Sequence, residues 1–347
     1  MDSVKIALAS LLASLGLTGC QFGYYFKSAV SQMQLLNNKI PLAEALKDPS
    51  LKESDKKKLL LSQKVREFAE GRLHLQSTKN YTSFVKLDRP YVTYVVSASP
   101  KWELKHHLWK FPFVGRMPYK GFFNEAEAKE EEASLKEQDL DTFVRGVSAY
   151  STLGWFRDPL LSSMLSYKEY ELVNTLIHET VHATIFIKNS ADFNERLAVF
   201  LGNKGMEMFY LQEEGPDSPT LKIAQAENED DKIFSEFISR EIGELEKWYE
   251  RQSVKDEAVR SERLRDIQQK FTREIEPRMK SQSYSKFKNL TLNNARLLMY
   301  KTYMQDLSDF ESLYEQSGRS FDEFLRRCRA LENSLKPEED LKKLVSK

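Results

Sequence analysis

Ser166-Tyr167-Lys168-Glu169-Tyr170-Glu171-Leu172-Val173-Asn174-Thr175-Leu176-Ile177-His178-Glu179-Thr180-Val181-His182-Ala183-Thr184-Ile185 organises the rest of the chain. Apolar residues recur at Leu172, Val173, Leu176, Ile177, Val181 and Ile185, which is the spacing of a helix with one buried stripe. Ser166 and Glu169 form an S-x-x-E pattern, predicting a helix that opens near Tyr167. On that helix His178 and His182 share a face, so both imidazoles can reach one metal ion, and Glu179 stands beside them. A solvated helix face with two histidines is the plainer interpretation. The apolar flanks argue against it, because a helix of this kind is interior and two unpartnered buried imidazoles are costly. H-E-x-x-H on a buried helix predicts a zinc (Zn2+) hydrolase, with Glu179 as general base on the metal's water.

A catalytic zinc site needs a third protein ligand. Glu195 is the candidate. The polar Lys188-Asn189-Ser190-Ala191 ends the first helix, and a second one starting near Asp192 folds back beside it. Glu195 then lies in the first turn facing the histidines. The competing role is a D-x-x-E capping box with Asp192. His74, His106 and His107 are remote in sequence and less well framed.

Beyond the motif, further segments occur in a familiar order. They are Val65-Arg66-Glu67-Phe68-Ala69, Tyr81 through Tyr91, Trp109-Lys110-Phe111-Pro112, Tyr119-Lys120-Gly121-Phe122-Phe123, Ala149 through Leu160, Phe193-Asn194-Glu195 and Asn293-Asn294-Ala295. On these residues the chain resembles a bacterial family of predicted aminopeptidases, lipoproteins with a gluzincin-type H-E-x-x-H plus Glu site. The resemblance implies a peptide substrate and the ligand set His178, His182 and Glu195. Lys120 stands where the family usually has arginine, H-E-T-V-H where it usually has H-E-L-A-H, and Arg196-Leu197-Ala198 where Ser-Phe-Ala is commoner. These departures bear on substrate preference and leave the ligands and base in place.

The chain has 347 residues, 41% of them hydrophobic, enough for a sizeable core. Lys plus Arg and Asp plus Glu are 52 each, and that balance argues against a nucleic-acid partner. No dinucleotide, Walker or CxxC pattern is present. Residues 1–19 read as a signal peptide: Lys5 precedes an apolar run from Ile6 to Leu17, too short for a membrane span. It closes on Leu17-Thr18-Gly19-Cys20, which resembles a lipobox with Cys20 as the lipidated residue. That places the protein in the bacterial cell envelope, anchored to a membrane by acyl chains. Gln21 points to the outer membrane. The other cysteine, Cys328, is expected to pack or lie exposed without reacting.

The fold expected is α+β and mainly helical. A small sheet lies beside the H-E-x-x-H helix, within a catalytic region over 20–205, and a helical region over 206–347 completes the cleft. Helices are expected at Tyr24–Leu36, Lys56–Leu73 and Asn124–Gln138, and strands at Tyr91–Val96 and Thr142–Tyr150. The latter strand is expected to be a sheet edge against which a peptide can pair. Asp231–Lys280 predicts a long helical pair with solvated faces, in preference to a partner-binding coiled coil, because no a/d repeat is sustained. Asn294–Leu307 and Phe321–Leu335 are further amphipathic helices. Tyr150, Tyr300 and Tyr303 are possible oxyanion donors, none assigned, and Asn174 and Asn194 are candidate partners of the histidines. Endopeptidase action, a metallochaperone and a non-catalytic zinc-binding scaffold remain alternatives.

Overall fold

The computed structural model describes residues 23–111, 115–149, 152, 156–303 and 306–346. Cys20, residues 1–19, Tyr150 and the Tyr303 side chain lie outside the described residues. No described helix is long and apolar enough to cross a membrane. The fold is mainly helical α+β, as expected.

A helix over 23–37 (α1) and one over Glu53–Gly71 (α3), with the short Leu42–Ala45 turn of helix (α2) between them, open the described chain. Strands Thr93–Pro100 (β3), Lys120–Phe122 (β6) and Leu140–Val147 (β7) form an antiparallel sheet in the order β6-β3-β7. Thr93 is paired with Val147 and Val95 with both Arg145 and Gly121. Side chains alternate along a strand. Tyr94, Val96, Ala98 and Phe122 therefore share one face, which is buried against Ala128 and Leu135 of the helix Glu125–Glu137 (α4). Thr93, Val95, Arg145 and Val147 share the other. The Asn124 side chain caps α4 by accepting from Ala126 N at 2.7 Å.

Ile40–Pro41 (β1), Ser83–Val85 (β2) and Leu160–Leu161 (β8) make a second small sheet, and Trp109–Phe111 (β4) and Gly115–Met117 (β5) a hairpin. The hairpin docks on the loop before residue 191, where Arg116 N donates to Asn189 Oδ1. Gly115 has φ +85°, and a Cβ there would meet Asn189 Oδ1 at 2.0 Å, so any other residue would be strained and would displace the Asn189 amide.

The two central helices are Glu169–Thr184 (α5) and Ala191–Glu214 (α6). The predicted stripe Leu172, Val173, Leu176, Ile177, Val181 and Ile185 is entirely buried in the larger apolar core. The start of α5 differs from expectation. Ser166 ends a 3-10 turn over Ser162–Ser166 and donates to Ser163 O, so it does not cap α5. Glu171 caps the helix instead, accepting from Lys168 N at 2.9 Å. Tyr167 is thereby left in extended backbone ahead of the helix.

Pro219–Glu250 (α7) and Glu257–Lys270 (α8) are the long helical pair foreseen over 231–280. Their apolar residues, among them Phe234, Phe237, Leu264 and Phe271, are buried in a second cluster with Leu297 and Leu298 of Asn294–Tyr303 (α9). Asn294 joins this half to the sheet. Its amide donates to Pro100 O and Lys101 O at 2.8 and 2.9 Å, and its Oδ1 accepts from Tyr249. Asp141 at the start of β7 ion-pairs with the buried Arg260. Ser308–Gln316 (α10), Phe321–Arg329 (α11) and Pro337–Val345 (α12) return to the larger core through Phe310, Phe324 and Leu341. Cys328 is fully buried there, and burial pushes its thiol up, so it packs and does not react.

Candidate metal and peptide cleft

Asn174, Thr175, His178, Glu179 and His182 follow one another along one face of α5, opposite its buried stripe. They line a cleft of about 640 Å³ between α5 and the sheet face that carries Thr93, Val95, Arg145 and Val147. The described lining residues run from Tyr24 to Glu195. The far wall, expected from the region after 206, is α1, through Tyr24, Ser28 and Gln32. Tyr24 is held there: its hydroxyl donates to Gly121 O at 2.8 Å and Lys120 Nζ stands 4.6 Å from its ring centroid. Glu131 anchors Lys120 at 2.8 Å and accepts from Trp109 Nε1.

Three donors meet at the cleft floor. His178 Nε2 and His182 Nε2 are 3.2 Å apart, and Glu195 Oε2 is 3.5 and 3.7 Å from them. A tetrahedral ion with bonds of 2.0–2.1 Å places its ligand atoms ~3.4 Å apart. The observed triangle fits that size without rearrangement, and its two imidazoles and one carboxylate are the donor types zinc takes. Among the described residues this is the one group of three or more such donors close enough to hold an ion.

Glu195 gets there through the turn between the helices. Asn194 Oδ1 accepts from Ile187 N at 2.9 Å and its amide donates to Ile187 O at 2.8 Å, closing the loop. Ser190 precedes α6 and Asp192 does not cap it, so the carboxylate of Glu195 is directed at the histidines and not at the helix N-terminus. Gly202, two turns on, lets α6 approach α5: a Cβ there would be 2.9 Å from Asn174 Oδ1 and 3.4 Å from His178 Cβ.

The electrostatics follow from this crowding. Burial acts to raise the Glu195 carboxyl, but the imidazoles of His182 and His178 hold it well below the usual carboxylate range. It is an ionised donor. Burial disfavours the charged form of His182, yet Glu195 moves its pKa up. Glu179 is half-buried at the cleft surface, and loss of water pushes its carboxyl up against the opposing pull of the two histidines. A raised carboxyl is a stronger base. Behind it lie Tyr81 and Asp158, both buried. Burial, with Glu179 adding, raises Asp158 to about 6 although Thr152 donates to it twice. Tyr81 sits in left-handed backbone at φ 58°, its amide donating to Asp158 O at 2.7 Å.

The other sequence candidates fall elsewhere. Asn174 bonds Asn203 and Asn194 bonds Ile187, so neither orients an imidazole. His182 Nδ1 is buried without a partner. The Tyr300 ring packs against Phe234 and Phe287 in the second cluster. His107 stacks edge-on with Trp109, and His106 lines a separate cavity of about 730 Å³. Tyr167 and Arg145 line the cleft and were not singled out by their sequence neighbourhoods. Tyr167 raises no signal because the S-x-x-E pattern marks it as a helix start. Arg145 is detectable only by continuing the period-two pattern of its strand.

A mainly helical α+β protein, with a two-histidine, one-glutamate donor set beside a sheet-floored cleft, is the class that fold and site define. The chain belongs to the family described as "Putative aminopeptidase", whose model matches residues 23–344. No curated protein and no solved structure matches it.

Proposed function

We propose that this chain is a zinc-dependent metallopeptidase, and within its family's description an aminopeptidase, held at a bacterial membrane by a lipidated Cys20. The convergence of His178, His182 and Glu195 on a triangle of tetrahedral size carries this reading. Zinc supplies polarisation of the scissile carbonyl and of the attacking water when bound. Glu179 takes the proton of that water and passes it to the leaving amine; its raised pKa suits both steps. Tyr167, which lines the cleft, is the proposed donor to the developing oxyanion. Burial raises its pKa, a hydrogen bond with Ser148 opposes that, and the charge of Glu179 adds to it.

The sheet edge supports a peptide as the substrate. Among the described residues strand β7 pairs with β3 on one side only. Alternation turns the backbone of residues 142, 144, 146 and 148 to the open edge. There Thr142 O accepts from Asn293 and Ser148 O from Ser163. Between them Val144 and Gly146 pair with no other strand among the described residues, which suits addition of an extended peptide.

Replacing Glu179 by Gln tests the mechanism. Peptide hydrolysis should fall by roughly 10²–10⁴-fold with zinc still bound. Undiminished hydrolysis rejects Glu179 as base. Absence of zinc from the wild type and from His178→Ala alike rejects the metal site and leaves the scaffold alternative. Acetylating the peptide N-terminus should abolish cleavage; equal cleavage of free and acetylated peptides makes the protein an endopeptidase. Cys20→Ser should release the protein from membranes.

A further inference from the structure

The charge pattern of the cleft points to what part of a peptide it holds. Among the described lining residues the carboxylates are Glu179 and Glu195, and both belong to the metal site. Apart from the two histidines, the one cationic lining residue is Arg145. Its place is set by the sheet. It is paired with Val95 and shares the cleft face with Thr93, Val95 and Val147. It lies on the strand whose outer edge is open, between the backbone groups of Val144 and Gly146. Arg145, Tyr167 and Glu179 line the same cleft.

The open edge is bounded at both ends. Asn293 occupies it at Thr142 and Ser163 at Ser148. At about 3.4 Å per residue, the window between them is roughly 20 Å, room for about five residues of an added strand. A peptide that pairs there has its end, or a nearby side chain, above Arg145.

We propose that Arg145 is the subsite for a carboxylate of the bound peptide, so that the cleft selects peptides carrying such a group close to the scissile bond. This rests on the peptidase reading above. A guanidinium matches a carboxylate with two parallel hydrogen bonds, which a lysine cannot do. The carboxylate is either the peptide's own C-terminus or an acidic side chain.

Calorimetry on zinc-loaded Glu179→Gln protein tests this without turnover. The probes are Ala-Ala-Ala, its C-terminal amide, and the amide of Ala-Ala-Asp. The free acid should bind about 10- to 100-fold more tightly than its amide, the worth of a charge-assisted hydrogen bond. Recovery of affinity by the Asp peptide assigns the subsite to a side chain, and no recovery assigns it to the C-terminus. Adding Arg145→Gln should bring the acid-to-amide ratio close to one, and Arg145→Lys should leave an intermediate ratio, at unchanged zinc content. Equal binding of acid and both amides, a preference that survives Arg145→Gln, or no binding of any of the three overturns the proposal. If the calorimetric preference is found while the wild type cleaves none of the peptides, the peptidase reading fails and the carboxylate subsite stands.

Discussion

Gly202→Ala tests the link between helix packing and the site. Gly202 is buried on the face of α6 that meets α5. A methyl group there would lie 2.9 Å from Asn174 Oδ1, 3.3 Å from the Asn174 carbonyl oxygen and 3.4 Å from His178 Cβ. The Asn174 amide is held by Asn203 at 2.6 Å, so it does not swing aside without losing that bond. The backbone oxygen moves only with the helix. The helices must therefore separate by several tenths of an ångström. Alanine gains ~0.8–1.0 kcal/mol over glycine in a helix, and overpacking costs ~1–3 kcal/mol. The balance is a destabilisation of about 0–2 kcal/mol in urea titrations of metal-free protein. The site should respond more strongly. Glu195 is two turns before Gly202 on the same face, and its oxygen already stands 3.5 and 3.7 Å from the two imidazoles. Moving it outward should lower zinc affinity ~10-fold or more in chelator competition, the size of effect seen when groups that orient ligands are disturbed. A variant about 1 kcal/mol more stable, with unchanged zinc affinity, would refute the argument that α5–α6 contact positions the carboxylate.

Other outcomes follow from the same neighbourhood. Asn194→Ala strands the buried amide and carbonyl of Ile187, which should cost about 2–3 kcal/mol in denaturation and weaken zinc binding as the loop loosens. Asp158 is raised from 3.8 to about 6, so the folded state binds its proton more tightly than the unfolded chain does. Its contribution to stability is complete below pH 3.8 and lost as pH rises through 6. Asp158→Asn should therefore gain about 2–3 kcal/mol relative to wild type between pH 4 and pH 7; parallel pH profiles of Tm would contradict this. With Cys20 replaced by Ser, the native protein should resist a thiol reagent, and unfolding should expose Cys328 to it.

Local spacing was enough to place His178, Glu179 and His182 together on α5. Six apolar residues at helical intervals fixed which face is buried, and His178, Glu179 and His182 had to fall on the other, because a helix repeats every 3.6 residues whatever surrounds it. The polar stretch at Lys188–Ala191 likewise announced a turn, and so a second helix near Asp192. The Ser166 box failed because the N-cap was decided by competition: Ser166 closed its own 3-10 turn, and Glu171 reached the Lys168 amide first. Asn174 and Asn194 are close in sequence to His178 and Glu195, yet their amides go to helix-packing and loop-closing bonds that sequence distance does not reveal.

What sequence alone determined is the periodic part: the α5 helix, its histidine face, the α4 and α7–α8 helices, and the strand around Thr142–Val147. The tertiary structure decided everything that depends on two segments meeting. The distance from Glu195 to the imidazoles rests on a glycine that admits close packing. The far wall of the cleft comes from α1, more than 130 residues before the histidines in sequence. Arg145 lines the cleft only because strand register turns it there and not to α4. Periodicity is a property of the local backbone and is written in the order of residues. Meeting distances are set by packing among segments remote in the chain, and no local pattern encodes them.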